Sequence, residues 1–192
     1  FLDDRRNRAL ELATMDELRE RGLGAKHLVE DTLAAAALAR AYGVSCEAIH
    51  AAIATFSLDR HRNECVLQRD GVLWINDSKA TNTHAANASL AAYQHVIWVV
   101  GGLLKGVDIA PLVAEQAHRL RTAIVIGADR GAVLQALSEH APQVSVVEIT
   151  EASGAPVMDA VVRAARDHAQ DGDTVLLAPA AASLDQFDSF ED

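Results

Sequence analysis

The sequence has few of the residues that would indicate a disulfide-rich, zinc-binding or nucleic-acid-binding protein. Its only two cysteines, Cys46 and Cys65, are far apart and form no C-x-x-C motif, so we expect buried free thiols rather than disulfides or a zinc site. Basic residues are outnumbered, with 17 Lys and Arg against 27 Asp and Glu and a formal net charge of −10. Because nonspecific affinity for nucleic acid comes mainly from Lys and Arg, we expect no nucleic-acid partner.

Membrane and targeting segments are also missing. No apolar run is long enough to span a bilayer, and no basic-then-apolar signal peptide opens the chain, so we expect a soluble, cytoplasmic protein with no membrane partner. The chain begins at Phe1 without a methionine and stops at Phe190-Glu191-Asp192, in what looks like the start of a helix. We therefore expect a fragment of a longer protein.

The common nucleotide-binding and catalytic motifs are absent as well. No Gly-Lys-Ser or Gly-Lys-Thr phosphate loop occurs, and Gly22-x-Gly24 is not a dinucleotide fingerprint because His27 stands where the third glycine is required. The sequence shows neither a Ser-His-Asp arrangement nor a pair of histidines at the spacing of metal ligands. The function must therefore be sought in other patterns.

Half of the residues are hydrophobic, which is enough for a sizeable core. Residues 10–12 could form a strand, and residues 15–21 are polar and ambiguous. Apolar residues then recur at helical spacing between 28 and 38, and Gly43 stands where a C-terminal cap would. Ser45 could begin a second helix. We expect that second helix to bury Ile49, Ala52, Ile53 and Phe56.

Strands and helices alternate after Cys65. A hairpin over residues 66–75 turns at Asp70-Gly71. Further strands are predicted at 95–100, 123–126, 144–149 and 174–177, and helices at 83–93, 109–119, 133–138 and 155–170. The Val, Ile, Leu and Trp content of the strands predicts burial on both sheet faces. The predicted fold is α/β, a Rossmann-like and mostly parallel sheet with flanking helices, preceded by a small helical segment.

Polar and glycine-rich loops follow the predicted parallel strands, so right-handed crossovers would gather them at one sheet edge. Lys79 and Lys105 would face one crevice there and could hold a dicarboxylate or a phosphate, although each alone is more often a surface lysine. Ser183 resembles a helix N-cap, and its hydroxyl could also bind a carboxylate.

The charged segment 58–64 separates the helical segment from the first strand of the hairpin, and predicts domains at 1–58 and 59–192. A solvated linker is its simplest interpretation. His61 beside Arg62 keeps a second one open, because an imidazole and a guanidinium could together hold phosphate.

Three motifs can be taken together: Asn-Asp-Ser-Lys-Ala-Thr-Asn at 76–82, Gly-Gly-x-x-Lys at 101–105 and Ala-Ser-Leu-Asp-Gln-Phe at 182–187. With the Ala-rich helix and the His-Arg pair, they resemble the Mur ligase family, specifically its D-glutamate-adding members. The resemblance implies a cytoplasmic, monomeric enzyme of peptidoglycan synthesis that uses ATP and Mg²⁺. Such an enzyme joins D-glutamate to UDP-N-acetylmuramoyl-L-alanine through an acyl phosphate, and residues 1–58 would end its central ATPase domain.

The resemblance also implies roles for individual residues. Catalytic roles fall on Lys79 and His61. Positions near the nucleotide are His27, Asp31, His61, Arg62 and Asp77. Positions that contact D-glutamate are Thr81, Lys105, Ser183, Leu184 and Phe190. No metal ligand is implied within this chain, and the chain alone is expected to be inactive because the phosphate loop and the UDP-binding domain are missing.

Departures from the family pattern leave alternatives open. The stretch 25–31 lacks two asparagines common near adenine, although Asp31 could still accept a hydrogen bond from an exocyclic amine. Leu103 occupies a position that is acidic in some members, and Ala181 stands where a cysteine is common. One alternative is a non-catalytic Rossmann-like module that binds a small anion or a protein. Another is an ATP-dependent folate polyglutamate ligase, which should lack the motif at 77–82.

Overall fold

The computed structural model describes residues 2–3, 8–9, 11–151 and 155–187. The chain divides into two units, Phe1–Arg60 and His61–Asp192. The boundary between them and the predicted division after residue 58 both lie in the charged segment 58–64, which we call the connector. Within the described ranges, no helix is both long and apolar enough to cross a membrane.

The described residues of the first unit form a short strand pair and three helices. Strands β1 (Leu2–Asp3) and β2 (Arg8–Ala9) pair antiparallel. Helices α1, α2 and α3 span Met15–Glu20, Lys26–Tyr42 and Cys46–Thr55. As the sequence predicts, α2 ends at a left-handed Gly43, and α3 begins with the Ser45 hydroxyl accepting from the Ala48 N–H at 3.1 Å.

Three details of this unit differ from the sequence-based expectation. Glu11 and Leu12 lie outside any strand, and the pairing uses Arg8–Ala9 instead. The ambiguous polar stretch is helix α1, whose start is fixed by a capping box between Thr14 and Glu17. In α3 only Ile49 is buried, while Ala52 and Phe56 are exposed, because the small core on Leu12, Ala36 and Ile49 covers one narrow stripe of the helix.

The second unit is built on a six-stranded sheet. Its strands are β3 (Glu64–Arg69), β4 (Val72–Asn76), β5 (Val96–Gly101), β6 (Leu120–Ile126), β7 (Ser145–Glu148) and β8 (Thr174–Leu177). Its helices are α4 (Thr83–Ala91), α5 (Ala110–Gln116), α6 (Arg130–His140) and α7 (Ala155–His168), with a 3₁₀ turn at Ala117–Arg119. The predicted α/β class is confirmed.

The sheet order is β3-β4-β8-β5-β6-β7, with only the β3–β4 pair antiparallel. The β3–β4 hairpin turns at Asp70 and Gly71, which both have positive φ, as the sequence predicts. Strand β8 is the last in sequence but lies between β4 and β5. The loop that follows β8 therefore begins between the loops that follow β4 and β5.

Alternating side chains of the central strands supply both faces of the sheet. On β5, Val96, Trp98 and Val100 pack in one core cluster with residues of α4, α5 and α6. Ile97 and Val99 point the other way, into a cluster with residues of α7. The result is a three-layer arrangement with helices on both sides of the sheet.

The prediction that all strands are buried on both faces is wrong for the two edge strands. Residues 65–69 of β3 are exposed, and so is most of β7, because each of these strands has only one neighbour. Cys65 is therefore exposed on β3, and Cys46 is half-buried at the start of α3, contrary to the expectation that both thiols are buried.

Candidate active site

Four loops meet at the carboxyl edge of the parallel strands. They follow β4, β8, β5 and β6 and comprise residues 77–82, 178–187, 101–106 and 127–130. The Ala180 N–H donates to Ala80 O at 2.9 Å, and the Gly101 N–H donates to Pro179 O at 3.0 Å. The loop after β8 is thus bonded to the loops on both sides of it.

The loop after β8 is also paired with the loop after β5. Leu103 and Ala182 form an antiparallel bridge, with N–H to O distances of 2.8 and 3.1 Å. Gly102 makes this approach possible: its φ is 132°, and a Cβ there would lie 2.3 Å from the carbonyl oxygen of Ala182.

Two aspartates connect the loop after β6 to its neighbours. Asp129 Oδ2 accepts from the Leu104 N–H at 2.7 Å, and Asp185 Oδ2 accepts from the Ala128 N–H at 2.6 Å. Charged acceptors strengthen such bonds. These carboxylates therefore serve to hold the loops together.

Lys105 lies at the tip of a tight turn. The Val107 N–H donates to Leu104 O at 3.0 Å, and Lys105 and Gly106 have φ of 54° and 78°. A left-handed backbone is unusual for a lysine and must be stabilised by the surrounding turn. The turn presents the lysine side chain to solvent.

Asp77 is held by the connector that precedes the hairpin. Its Oδ1 accepts from the Asn63 N–H at 3.0 Å, and its Oδ2 accepts from the Ser89 hydroxyl of α4. The Asn63 side-chain oxygen in turn accepts from the Tyr93 hydroxyl at 2.7 Å. Burial raises the pKa of Tyr93 to about 12, so its phenol is protonated and can donate at neutral pH.

His61 is fixed by the same connector. Its N–H donates to Glu64 Oε2 at 2.8 Å, and its carbonyl accepts from the Lys79 N–H at 3.3 Å. Its Nδ1 lies 2.8 Å from the side-chain nitrogen of Asn76. When the Asn76 amide donates to Nδ1, the neutral ring carries its proton on Nε2.

Three cations near this edge have no partner in the part of the chain that the structure describes. Among the described residues, the side chains of Arg62, Lys79 and Lys105 form neither an ion pair nor a hydrogen bond. Lys79 is half-buried, and the other two are exposed. Positive charge is thus available for an anion while the nearby carboxylates already accept main-chain N–H groups.

The remaining predicted residues of this unit occupy these loops too. Thr81 is exposed, and its N–H donates to Lys79 O at 2.9 Å. Leu184 is 65% exposed, and Phe190 lies outside the described residues. Ser183 precedes a turn: its carbonyl accepts from the N–H groups of Gln186 and Phe187 at 3.0 Å, and residues 184–186 are not helical. A helix capped by Ser183 would extend past Phe187, outside the described residues, so the N-cap role of Ser183 stays a prediction.

His27 and Asp31 belong to the first unit, whereas the other predicted site residues belong to the second. Both lie on α2, with His27 half-buried and Asp31 exposed. Asp31 borders a groove of about 420 Å³ between α2 and α3 that is lined mainly by apolar side chains.

Sequence reasoning missed the residues that support the loops, namely Asn63, Ser89, Tyr93, Asp129 and Asp185. Asn63 and Asp185 stood in segments already singled out, and Asp129 follows one of the predicted strands, but nothing in the pattern showed which partner each would bind. Ser89 and Tyr93 were assigned only to a helix.

Metal ligands are not grouped in the described part of the chain. Within it, no three His, Cys, Asp or Glu side chains come together as a metal site. The carboxylates of Asp77, Asp129 and Asp185 at the carboxyl edge each accept a hydrogen bond from a main-chain N–H group. The absence of a metal ligand from the whole chain stays a prediction.

Comparison with known proteins identifies the second unit directly. Residues 61–181 match the family of the Mur ligase glutamate ligase domain. Over 99% of its length, the chain is 55% identical to the UDP-N-acetylmuramoylalanine–D-glutamate ligase of Leifsonia xyli and 47% identical to that of Streptomyces coelicolor. It spans only 37% and 40% of those two relatives.

Two solved structures share the fold at low sequence identity. A folylpolyglutamate synthase of Mycobacterium tuberculosis, complexed with ADP and AMPPCP, superposes with a TM-score of 0.59 at 16% identity over 82% of this chain and 38% of its own. A murein peptide ligase of Psychrobacter arcticus gives a TM-score of 0.53 at 17% identity over 81% of this chain and 34% of its own. At this identity the likeness concerns the fold alone.

Proposed function

The chain belongs to the Mur ligase family, and we propose that it is part of an ATP-dependent ligase that adds D-glutamate to UDP-N-acetylmuramoyl-L-alanine. In this proposal residues 59–192 form the domain that binds D-glutamate, and residues 1–58 end the central ATP-binding domain. The parent acts in the cytoplasm as a monomer, on small molecules, without a nucleic-acid or membrane partner. The names of the similar ligases and the motif at 76–82 favour D-glutamate over folate.

The observation that carries the proposal is the distribution of charge at the carboxyl edge. Asp77, Asp129 and Asp185 accept hydrogen bonds from main-chain N–H groups, whereas Lys79 and Lys105 have no partner among the described residues. The two lysines leave strands separated by β8 alone, roughly 10 Å apart at the backbone. Two cations on the loops that flank the loop after β8 suit two neighbouring anionic groups, a carboxylate of D-glutamate at Lys105 and a phosphate at Lys79.

Each predicted contact has a matching chemical role. Lys105 and the hydroxyls of Thr81 and Ser183 would hold the carboxylates of D-glutamate, and Leu184 and Phe190 would shape its pocket. Lys79, on the loop nearest His61, would stabilise negative charge on the phosphate and on the reaction intermediate.

The proposed reaction joins a carboxylate to an amine in two steps. The muramoyl-alanine carboxylate attacks the γ-phosphorus of ATP, giving an acyl phosphate and ADP. The amine of D-glutamate then attacks the acyl carbon, and the tetrahedral intermediate collapses to the amide as phosphate leaves. Mg²⁺ would neutralise phosphate charge during the first step, held by residues outside this chain.

Nucleotide contacts are proposed for the connector and for α2. The Arg62 guanidinium, which has no partner in the described part of the chain, suits a phosphate group, and His61 offers the Nε2 side of its ring. Asp77 keeps lone pairs for a ribose hydroxyl beyond those used by Asn63 and Ser89. His27 and Asp31 are proposed to lie near the adenine.

Replacing Lys105 with Ala in the complete ligase tests the D-glutamate site. Loss of a charge-assisted contact should raise the KM for D-glutamate by about ten- to a hundredfold, with little change for ATP. Lys26→Ala is the matched control, because Lys26 is an exposed lysine in the first unit. An unchanged D-glutamate KM would refute the assignment. The isolated 192-residue chain should form no amide, and detectable ligation by it would also contradict the proposal.

A further inference from the structure

A chain of hydrogen bonds runs from α4 and the segment after it to the connector at 61–63. Tyr93 donates to the Asn63 side chain at 2.7 Å, the Asn63 N–H donates to Asp77 Oδ1 at 3.0 Å, and Ser89 donates to Asp77 Oδ2. Ser89 is 1% exposed, and its hydroxyl also lies 3.2 Å from the Ala85 carbonyl. The four side chains form one continuous polar network beneath the connector.

This network holds an unusual backbone at Asn63, and separate bonds to Glu64, Asn76 and Lys79 hold it at His61. His61 and Asn63 have φ of 67° and 47°, a left-handed conformation that L-residues adopt rarely and that surrounding contacts must stabilise. Asn63 is bonded on both its main chain and its side chain, and His61 is bonded through its N–H, carbonyl and ring. Arg62, with no partner for its guanidinium among the described residues, stands between these two fixed residues.

We propose that Tyr93 and Ser89 are positioning residues for the nucleotide, acting through Asn63 and Asp77 to hold His61 and Arg62 in place. The assignment rests on the proposed function. It adds two residues that touch neither substrate, one at each end of the network, and it explains why a hydroxyl is placed at each of them. Phenylalanine and alanine would fill the same positions without these bonds.

If Tyr93 and Ser89 have this role, their replacement should weaken nucleotide binding more than D-glutamate binding. Asp77 connects the network to the loop that also carries Lys79 and Thr81. The bonds recorded for those two residues are main-chain bonds: the Lys79 N–H donates to the His61 carbonyl, and the Thr81 N–H donates to the Lys79 carbonyl. Loosening the connector should therefore weaken the nucleotide site while D-glutamate binding, centred on Lys105 and the loop after β8, is preserved. A residue that merely stabilises the fold would affect both ligands or neither.

The test uses Tyr93→Phe, Ser89→Ala and the double variant in the complete ligase. Binding of a nonhydrolysable ATP analogue is measured by calorimetry, and the KM for D-glutamate is measured kinetically. Tyr42→Phe and Ser138→Ala are the matched controls, since Tyr42 is 92% exposed and Ser138 is an exposed residue of α6. Thermal unfolding of every variant shows whether the fold is retained.

Each single variant should weaken nucleotide binding about three- to tenfold, which is the range expected for one lost hydrogen bond. The D-glutamate KM should change less than about twofold, and the double variant should lose less than the product of the single effects because both act through Asn63 and Asp77. Unchanged nucleotide affinity, or an equal loss for both ligands, would overturn the positioning role. A complete unmodified ligase that adds no D-glutamate would instead overturn the proposed function, and the role of these two residues with it.

Discussion

The close approach of two loops at Gly102 gives a prediction whose size can be worked out from the structure. An alanine Cβ there would lie 2.3 Å from the carbonyl oxygen of Ala182, at a φ of 132°. The strained backbone costs about 1–3 kcal/mol. The clash must also separate the Leu103–Ala182 bridge, whose two hydrogen bonds contribute about 1 kcal/mol each. Gly102→Ala should therefore lower the free energy of unfolding by about 3–5 kcal/mol.

Two other glycines are controls that separate the cost of backbone strain from the cost of the clash. Gly106 has a φ of 78°, but a Cβ at this position would have nothing within 4 Å, so Gly106→Ala should cost only about 1–2 kcal/mol of backbone strain. Gly131 lies within α6 with no positive φ and no close neighbour, so Gly131→Ala should stabilise the protein by about 0.4–1 kcal/mol.

Urea unfolding followed by tryptophan fluorescence measures all three variants in the same unit, since Trp74 and Trp98 both lie in the second unit. From the most to the least stable, the expected order is Gly131→Ala, the unmodified protein, Gly106→Ala and Gly102→Ala. If Gly102→Ala were no less stable than Gly106→Ala, the close contact between the loops after β5 and β8 would be refuted.

Three further predictions concern the same unit. Leu90 is fully buried, so Leu90→Ala should cost about 2–5 kcal/mol in urea unfolding, whereas the exposed Leu67→Ala should cost less than about 1 kcal/mol; equal costs would contradict the packing of α4 on the sheet. Burial raises the pKa of Tyr93 to about 12, above its usual value near 10. The folded protein therefore keeps a proton that the unfolded chain loses between these pH values, and stability should fall by on the order of 2 kcal/mol as pH rises from about 10 to 12. The fall should be smaller by about this amount in Tyr93→Phe, and an equal fall in both proteins would refute the assignment to Tyr93. Asp185→Ala should speed hydrogen exchange of the Ala128 amide, and Asp185→Asn should restore most of the protection because it keeps a side-chain oxygen; equal exchange in all three proteins would contradict this bond.

Local sequence patterns predicted most of the elements because each carries its own physical signal. Gly43 and Ser45 mark helix ends through backbone conformation and capping, and Asp70-Gly71 marks a turn that needs positive φ. These signals act between residues close in sequence. The edge strands were misjudged because their apolar residues look like those of central strands, and only the strand order shows which ones lack a second neighbour.

The candidate site was predictable in its loops but not in its internal bonds. Lys79 and Lys105 were identified because each follows a strand, which is a local property. The bonds of Asp77 to Asn63 and of Asp185 to Ala128 join residues 14 and 57 positions apart, respectively. The first of these bonds continues the register of the β3–β4 hairpin, next to the Glu64–Asn76 pair. The second depends on the order of the strands, and the central place of β8 could not be derived from the spacing of the elements.

The central place of β8 also determines when the sheet can be completed during synthesis. Until residues 174–177 have left the ribosome, the β3–β4 hairpin and the β5–β6–β7 group have no strand to join them. Strands β4 and β5 each then present an unpaired, largely apolar edge, a state prone to aggregation. Folding of the sheet must therefore wait for the synthesis of β8, and a chain that ends just before Thr174 would contain the other five described strands without a way to make one sheet.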